Sequence, residues 1–252
     1  MRSNKVQRGD YSLNRVCYQS LLIVLWLFAI SLEGFSIFHS PVWHESSQLL
    51  AGLNIWRFQR FDTQEVNPPL VRSVVSLPIV LLSPNLDERK FNRPPVQRDE
   101  FARGIEFLND NKENARFFFT VSRFTGLVFL VIAFLTCFHF SQITFGIIST
   151  WVALPLFCFS PYILGHGATI MPDVPSAAFA IASVYFFWKW LKRPEMLESF
   201  IAGIILGLTE LTKFTLLIFY PMFIVMWLIY RLPEIKTLTK KYWFQQVKQM
   251  AV

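Results

Sequence analysis

Cysteine is scarce in this 252-residue chain. The three present, Cys17, Cys137 and Cys158, show no paired spacing and lie in or beside apolar runs. Neither a disulfide framework nor a zinc-binding cysteine set is indicated. Charge is also sparse, at 16% of residues, which is too little for an ordinary soluble domain of such apolar composition. No small-residue cleavage site follows the first apolar run, which continues to about Phe38. The basic N-terminus and that run therefore read as an uncleaved signal anchor rather than a signal peptide. No internal similarity is visible, so a transporter built from inverted repeats ranks third among the readings.

What the chain has is apolar bulk. It is 53% hydrophobic with 27 phenylalanines and a mean hydropathy of +0.39. The apolar residues come in blocks, the signature of a membrane protein. The formal charge of +7 is placed at the ends of those blocks: Arg2, Lys5, Arg8 and Arg15, then Lys189, Lys192 and Arg193, then Arg231 to Lys248. Such placement marks cytoplasmic anchors, and no nucleic-acid surface is expected.

The blocks define an all-α, polytopic fold of about six spans: 20–38, 117–138, 145–160, 175–190, 199–212 and 214–230. At ~1.5 Å per residue, the longer ones cross roughly 30 Å of hydrocarbon. His139–Gly146 reads as a brief link. The polar knot Thr209–Lys213 splits the last apolar stretch in two. Glu33 is a charged oddity in the outer third of the first span. A cytoplasmic N-terminus puts the links near 193 and after 231 inside, as their Lys and Arg content requires. The 39–116 loop carries basic residues outside, and loops of that length are largely exempt from the rule. The expectation is a multi-pass protein of the cell or inner membrane. Its 39–116 loop, His166–Asp173 turn and Glu210–Lys213 knot then share the non-cytoplasmic face.

Within the long loop, Ser40 and Pro41 read as an N-cap and first-turn proline. Leu49, Leu53 and Trp56 form an apolar stripe at helical spacing, which suits a helix lying flat in the interface. Leu70–Leu82 contains Pro78 and is too short to span, so interfacial or re-entrant placement follows. Glu100–Leu108 reads as a further helix.

Charged groups at membrane depth need a reason. Glu45, Asp173 and Glu210 supply carboxylates to one face, and Arg72, Arg123 and Lys213 supply cations. A carboxylate suits a general base for an acceptor hydroxyl, and cations suit a departing phosphate. Structural alternatives stand beside each reading. Glu45 sits where a helix dipole favours an acid, and Asp173 where a span needs a cap. Glu210 and Lys213 are spaced to neutralise each other, and Arg72 and Arg123 to snorkel. His44, His166, Glu45 and Asp173 contain metal-ligand types, but no ligand spacing supports a site. No cofactor is firmly implied.

One span, then an outer loop with an acid, AGL, W and NPPL, then ILGHG…MPDV, then GLTELTKFT: this order resembles GT-C membrane glycosyltransferases of the protein O-mannosyltransferase and aminoarabinose transferase type. The resemblance runs from about residue 20 to 231. It implies a polyprenyl-phosphate sugar donor and an outer-loop acid as catalytic base. Glu45 in HESS matches the second acid of the family's Asp-Glu pair, with His44 where the Asp usually stands. Asp173 in MPDV is similar to the family's second outer-loop acid, and Lys213 in LTKFT to a lysine near the donor. Asn67 and His166 fall inside the resembling motifs as secondary candidates, and Glu210 beside them.

The expected activity is transfer of a hexosyl, mannosyl or pentosyl unit, with inversion, from a polyprenyl phosphate to a hydroxyl of a glycan, lipid or protein acceptor. Glu45 and Asp173 would be catalytic, and Arg72, Arg123 and Lys213 would steady the phosphate. Family members usually have more spans. The expectation is therefore an N-terminal portion: a segment 1–19, a module 20–230 and a basic tail 231–252. A second membrane chain would supply the rest. The rival reading is a catalytically inactive or split subunit acting as scaffold.

Overall fold

The computed structural model describes residues 3–87, 89, 99–232, 246 and 248, and in the first helix it describes side chains from residue 16 on, leaving out 33 and 36–38. The side chain of Glu33, and nearly all of the basic tail, lie outside the described residues. The protein is an all-α integral membrane protein, with no strand among the described residues. Its helices are α1 (Ser3–Phe38), α2 (Trp43–Phe58), α3 (Leu70–Leu81), α4 (Glu100–Asp110), α5 (Ala115–Phe145), α6 (Ile147–Cys158), α7 (Pro161–His166), α8 (Asp173–Lys192), α9 (Met196–Glu210) and α10 (Phe219–Arg231). A 3-10 helix, Phe214–Ile218, leads into α10. All six expected spans are helical. Ala115–Phe145, Asp173–Lys192 and Phe214–Arg231 are long and apolar enough to cross a membrane, whereas Val16–Leu32, Leu70–Leu81 and Ile147–Cys158 are shorter apolar helices.

The link expected at His139–Gly146 is part of α5. Nothing between Phe138 and Phe145 breaks a helix, so the helix continues until Gly146 turns the chain with φ 86°. That positive φ is open to glycine without a Cβ clash. α6 then returns along α5: the Ser141 Oγ lies 3.1 Å from the Thr150 Oγ1, and Phe134 meets Phe157 edge-on with centroids 6.4 Å apart.

The outer-loop helices form a packed layer. α2 packs on α3 and α4, α3 on α5, α5 on α8, and α8 on α9. Two expectations for α2 change here. It starts at Trp43, not after Ser40, with Val42 as N-cap. The free Val42 N–H is met from inside the helix, donating to the Glu45 Oε2 at 2.8 Å, so no capping hydroxyl is needed. Nor does α2 lie flat on a surface, because every residue from Glu45 to Asn54 is buried. Small residues make this enclosure achievable. A Cβ on Gly52 would sit 2.8 Å from the Arg72 carbonyl carbon in α3, and one on Gly104 of α4 would sit 2.7 Å from the Ser46 Oγ. Leu49, Leu50 and Leu53 are thereby closed into a core with Val71, Val75, Ile79, Phe107 and Phe118, each such side chain contributing ~1.5–3 kcal/mol by leaving water. Trp56 stands outside that core, 46% exposed, with its indole N–H donating to the Ser73 carbonyl at 2.8 Å.

Two joins position the site. The Leu70 N–H donates to the Leu211 carbonyl at 3.0 Å, tying the start of α3 to the break after α9. Between α8 and α9, the Ser183 and Thr209 hydroxyls lie 2.8 Å apart, both buried, a polar contact of the kind that joins membrane helices.

Gly52→Val should force α3 off α2 and lower stability by ~1–3 kcal/mol. Gly207→Ala, where a Cβ meets nothing within 4 Å, should leave stability equal or higher. Thermal unfolding of the detergent-solubilised protein, followed by size exclusion, reads both.

Candidate functional site: a sealed ion pair beneath an open one

Glu45 stands on the first turn of α2, which directs its carboxylate toward α5 and the α7–α8 link. Its Oε1 accepts from the Arg123 Nε at 2.9 Å and from the Ile170 N–H at 2.8 Å. Its Oε2 accepts from the Arg123 Nη2 and from the Val42 N–H. Arg123 also donates through Nη1 to the His39 carbonyl at 3.3 Å. Four N–H groups thus occupy the two oxygens, which is the acceptor capacity of a carboxylate. Glu45 is 0% exposed and Arg123 3%.

Asp173 and Lys213 form a second pair of different character. The Lys213 Nζ lies 2.8 Å from the Asp173 Oδ1, and each side chain is 34% exposed. Asp173 is the first residue of α8, where unpaired backbone N–H groups favour a negative charge. Lys213 follows the end of α9 with extended backbone, φ −157° and ψ 127°, which frees its side chain from the helical face it would share with Glu210. The pairing expected between Glu210 and Lys213 is therefore replaced by one across helices. Among the described residues, the Glu210 oxygens have no hydrogen-bond partner.

Tyr162 of α7, which sequence reasoning passed over, lies within electrostatic reach of this second pair without bonding to it among the described residues. Burial pushes its phenol pKa up, the Asp173 charge adds to the rise, and Lys213 opposes it, so its hydroxyl feels both charges. His166 lies against Tyr162 with ring centroids 4.9 Å apart. The available signal was an i, i+4 aromatic pair in an otherwise apolar turn.

Arg72 has a third environment. It is 3% exposed, and its Nη1 donates to the Gln64 backbone carbonyl and to the Gln64 Oε1, the latter at 2.6 Å. Its Nε has no partner among the described residues. Burial pushes the guanidinium down to about 10, still charged near neutrality, and no carboxylate among the described residues offsets it. His44 is exposed and meets Phe101 edge-on at 4.8 Å, on the side of α2 that faces α4. Asn67 is half-buried in the turn before α3. The structure thus brings Glu45 to Arg123 and Asp173 to Lys213, while Arg72, His44 and Glu210 stand apart. His44, His166, Glu45 and Asp173 are not gathered together. No group of three or more metal-ligating side chains occurs among the described residues.

Chemically, the open pair offers a carboxylate able to accept a proton beside a cation able to meet an anion. The sealed pair offers neither to an incoming molecule. A family model described as Dolichyl-phosphate-mannose-protein mannosyltransferase matches residues 105–251, more than half of the chain. These helices are those of a membrane glycosyltransferase, and the chain belongs to the dolichyl-phosphate-mannose-protein mannosyltransferase family. The match takes in Arg123, His166, Asp173, Glu210 and Lys213, and it begins after the segment carrying Glu45, Asn67 and Arg72. Comparisons with curated proteins and with solved structures gave no match.

Removing one member of the sealed pair leaves the other buried and uncompensated, which costs ~3–5 kcal/mol. Glu45→Gln should still insert in the membrane but unfold at a clearly lower temperature. The double variant Glu45→Met/Arg123→Met should recover part of the loss, a coupling that a double-mutant cycle measures directly.

Proposed function

We propose that the chain transfers a mannosyl-type sugar from a dolichyl- or related polyprenyl-phosphate donor to a protein hydroxyl on the non-cytoplasmic face, at the Asp173–Lys213 pair. Family membership supports the class of reaction. The observation that carries the site is that, of the two carboxylates singled out as catalytic, Asp173 alone has a partly exposed side chain, while that of Glu45 is sealed.

In this reading the acceptor O–H gives its proton to Asp173 as its oxygen attacks the anomeric carbon. The bond from that carbon to the phosphate oxygen breaks on the opposite face, and the polyprenyl phosphate leaves with the electron pair. Lys213 moves from Asp173 toward the phosphate as charge develops there. Arg72, within a helical turn of the Leu70–Leu211 join, adds uncompensated positive potential from inside the protein. Glu45 and Arg123 serve by position: through Ile170 they hold the link that ends at Asp173. Tyr162 and His166 flank the pair, while His44, Asn67 and Glu210 take no part in the step. Residues 20–230 act as one module with a cytoplasmic N-terminus, the arrangement that best suits the basic segments.

Asp173→Asn and Lys213→Met should each lower transfer about 10²- to 10⁴-fold, with unfolding temperature little changed because both side chains are a third exposed. The assay follows labelled sugar from a dolichyl-phosphate-mannose donor to a Ser/Thr peptide with the full chain in nanodiscs. Undiminished transfer by Asp173→Asn would remove the proposed base.

A further inference from the structure

A cavity of about 460 Å³ opens where the chain leaving α3 meets the turn between α4 and α5. Its volume falls within the roughly 300–1,000 Å³ typical of small-molecule sites. α6 runs back along α5, so α5 and α8 start on the same side of the membrane helices, and the cavity shares that side with Asp173.

Asn111 ties the two walls of the cavity together. Buried Asn111 accepts from the Asn85 N–H through Oδ1 at 2.8 Å. Its Nδ2 lies 2.9 Å from both the Asn85 carbonyl and the Phe107 carbonyl. Asn85, Asn109 and Asn114 line the cavity beside the loop fixed this way, and all three are exposed. No hydrogen bond among the described residues engages their side-chain amides, and Asn114 makes no capping bond to α5 although it stands at the N-cap position. Each amide presents two donors and a two-lone-pair acceptor in one plane, a match for adjacent hydroxyls. Beside them Phe117 is 55% exposed, a ring face on which the C–H side of a pyranose can rest. The cavity's charged residues, Lys112 against Asp110 and Glu113, leave one negative charge in excess, which disfavours an anionic ligand.

We propose that this cavity is a binding site for an uncharged saccharide, taking one or two sugar units by hydrogen bonds from Asn85, Asn109 and Asn114 and by stacking on Phe117. The ligand is a glycan already attached to an acceptor or displayed near it, held apart from the Asp173–Lys213 pair. The site does not depend on Asp173 being the base.

Saturation-transfer NMR and calorimetry on the full chain in nanodiscs, with an α-linked mannose disaccharide as probe, test it. Saturable binding is expected, weakened about tenfold or more in Asn109→Ala/Asn114→Ala and in Phe117→Ala, and unchanged in Asp173→Asn. Unfolding temperature, measured in parallel, should stay near wild type for the double asparagine variant, whose side chains make no bonds among the described residues. Absence of saturable disaccharide binding, wild-type affinity in the double asparagine variant, or competition by an unglycosylated peptide alone would overturn the proposal. Transfer to an unglycosylated peptide, assayed separately, keeps its outcome distinct from that of the catalytic reading.

Discussion

The pairing of Glu45 with Arg123 is the constraint on which the rest of the arrangement depends. Two opposite charges withdrawn from water are costly unless every lone pair and N–H finds a partner. Here the cost is offset by geometry: Arg123 grips both oxygens, and two backbone amides fill the remaining positions. Those amides come from different places, one at the start of α2 and the other in the link before α8. A single carboxylate therefore fixes the register of the outer layer against two membrane helices.

That placement leaves one carboxylate sealed and the other open. A carboxylate with four donors and no exposure is suited to keeping other groups in place. Asp173, three residues beyond Ile170, inherits its position from the held link while keeping a third of its side chain open. Lys213 reaches it from the other side, because α9 ends at Glu210 and the chain straightens. The Asp173–Lys213 pair is thus assembled from a fixed strut and a flexible arm.

Much of this was legible in the sequence, and the rest was hidden for definite reasons. Apolar blocks gave the helices, since length and composition alone decide which segments suit a bilayer. The split of 199–230 at the Thr209–Lys213 knot was readable from its polar residues. Three things were not. The burial of α2 depends on Gly52 and Gly104, whose meaning appears only when a neighbouring backbone is known to lie against them. The partner of Glu45 lies 78 residues away, and no periodicity reaches that far. The partner of Lys213 could not be guessed from spacing, because i, i+3 proximity to Glu210 holds only while the helix continues. Tyr162 was missed because a tyrosine in an aromatic-rich chain stands out little, and only its nearness to two charges distinguishes it.

The join between Leu70 and Leu211 has a consequence for how such a chain can vary. Both its atoms belong to the main chain, so almost any side chain may replace either leucine without deleting the bond. What the join does restrict is spacing. An inserted or deleted residue in the turn through Asn67, Pro68 and Pro69 would carry the amide past its carbonyl, and with it Arg72. Substitution is cheap at this seam, and changes of length are not.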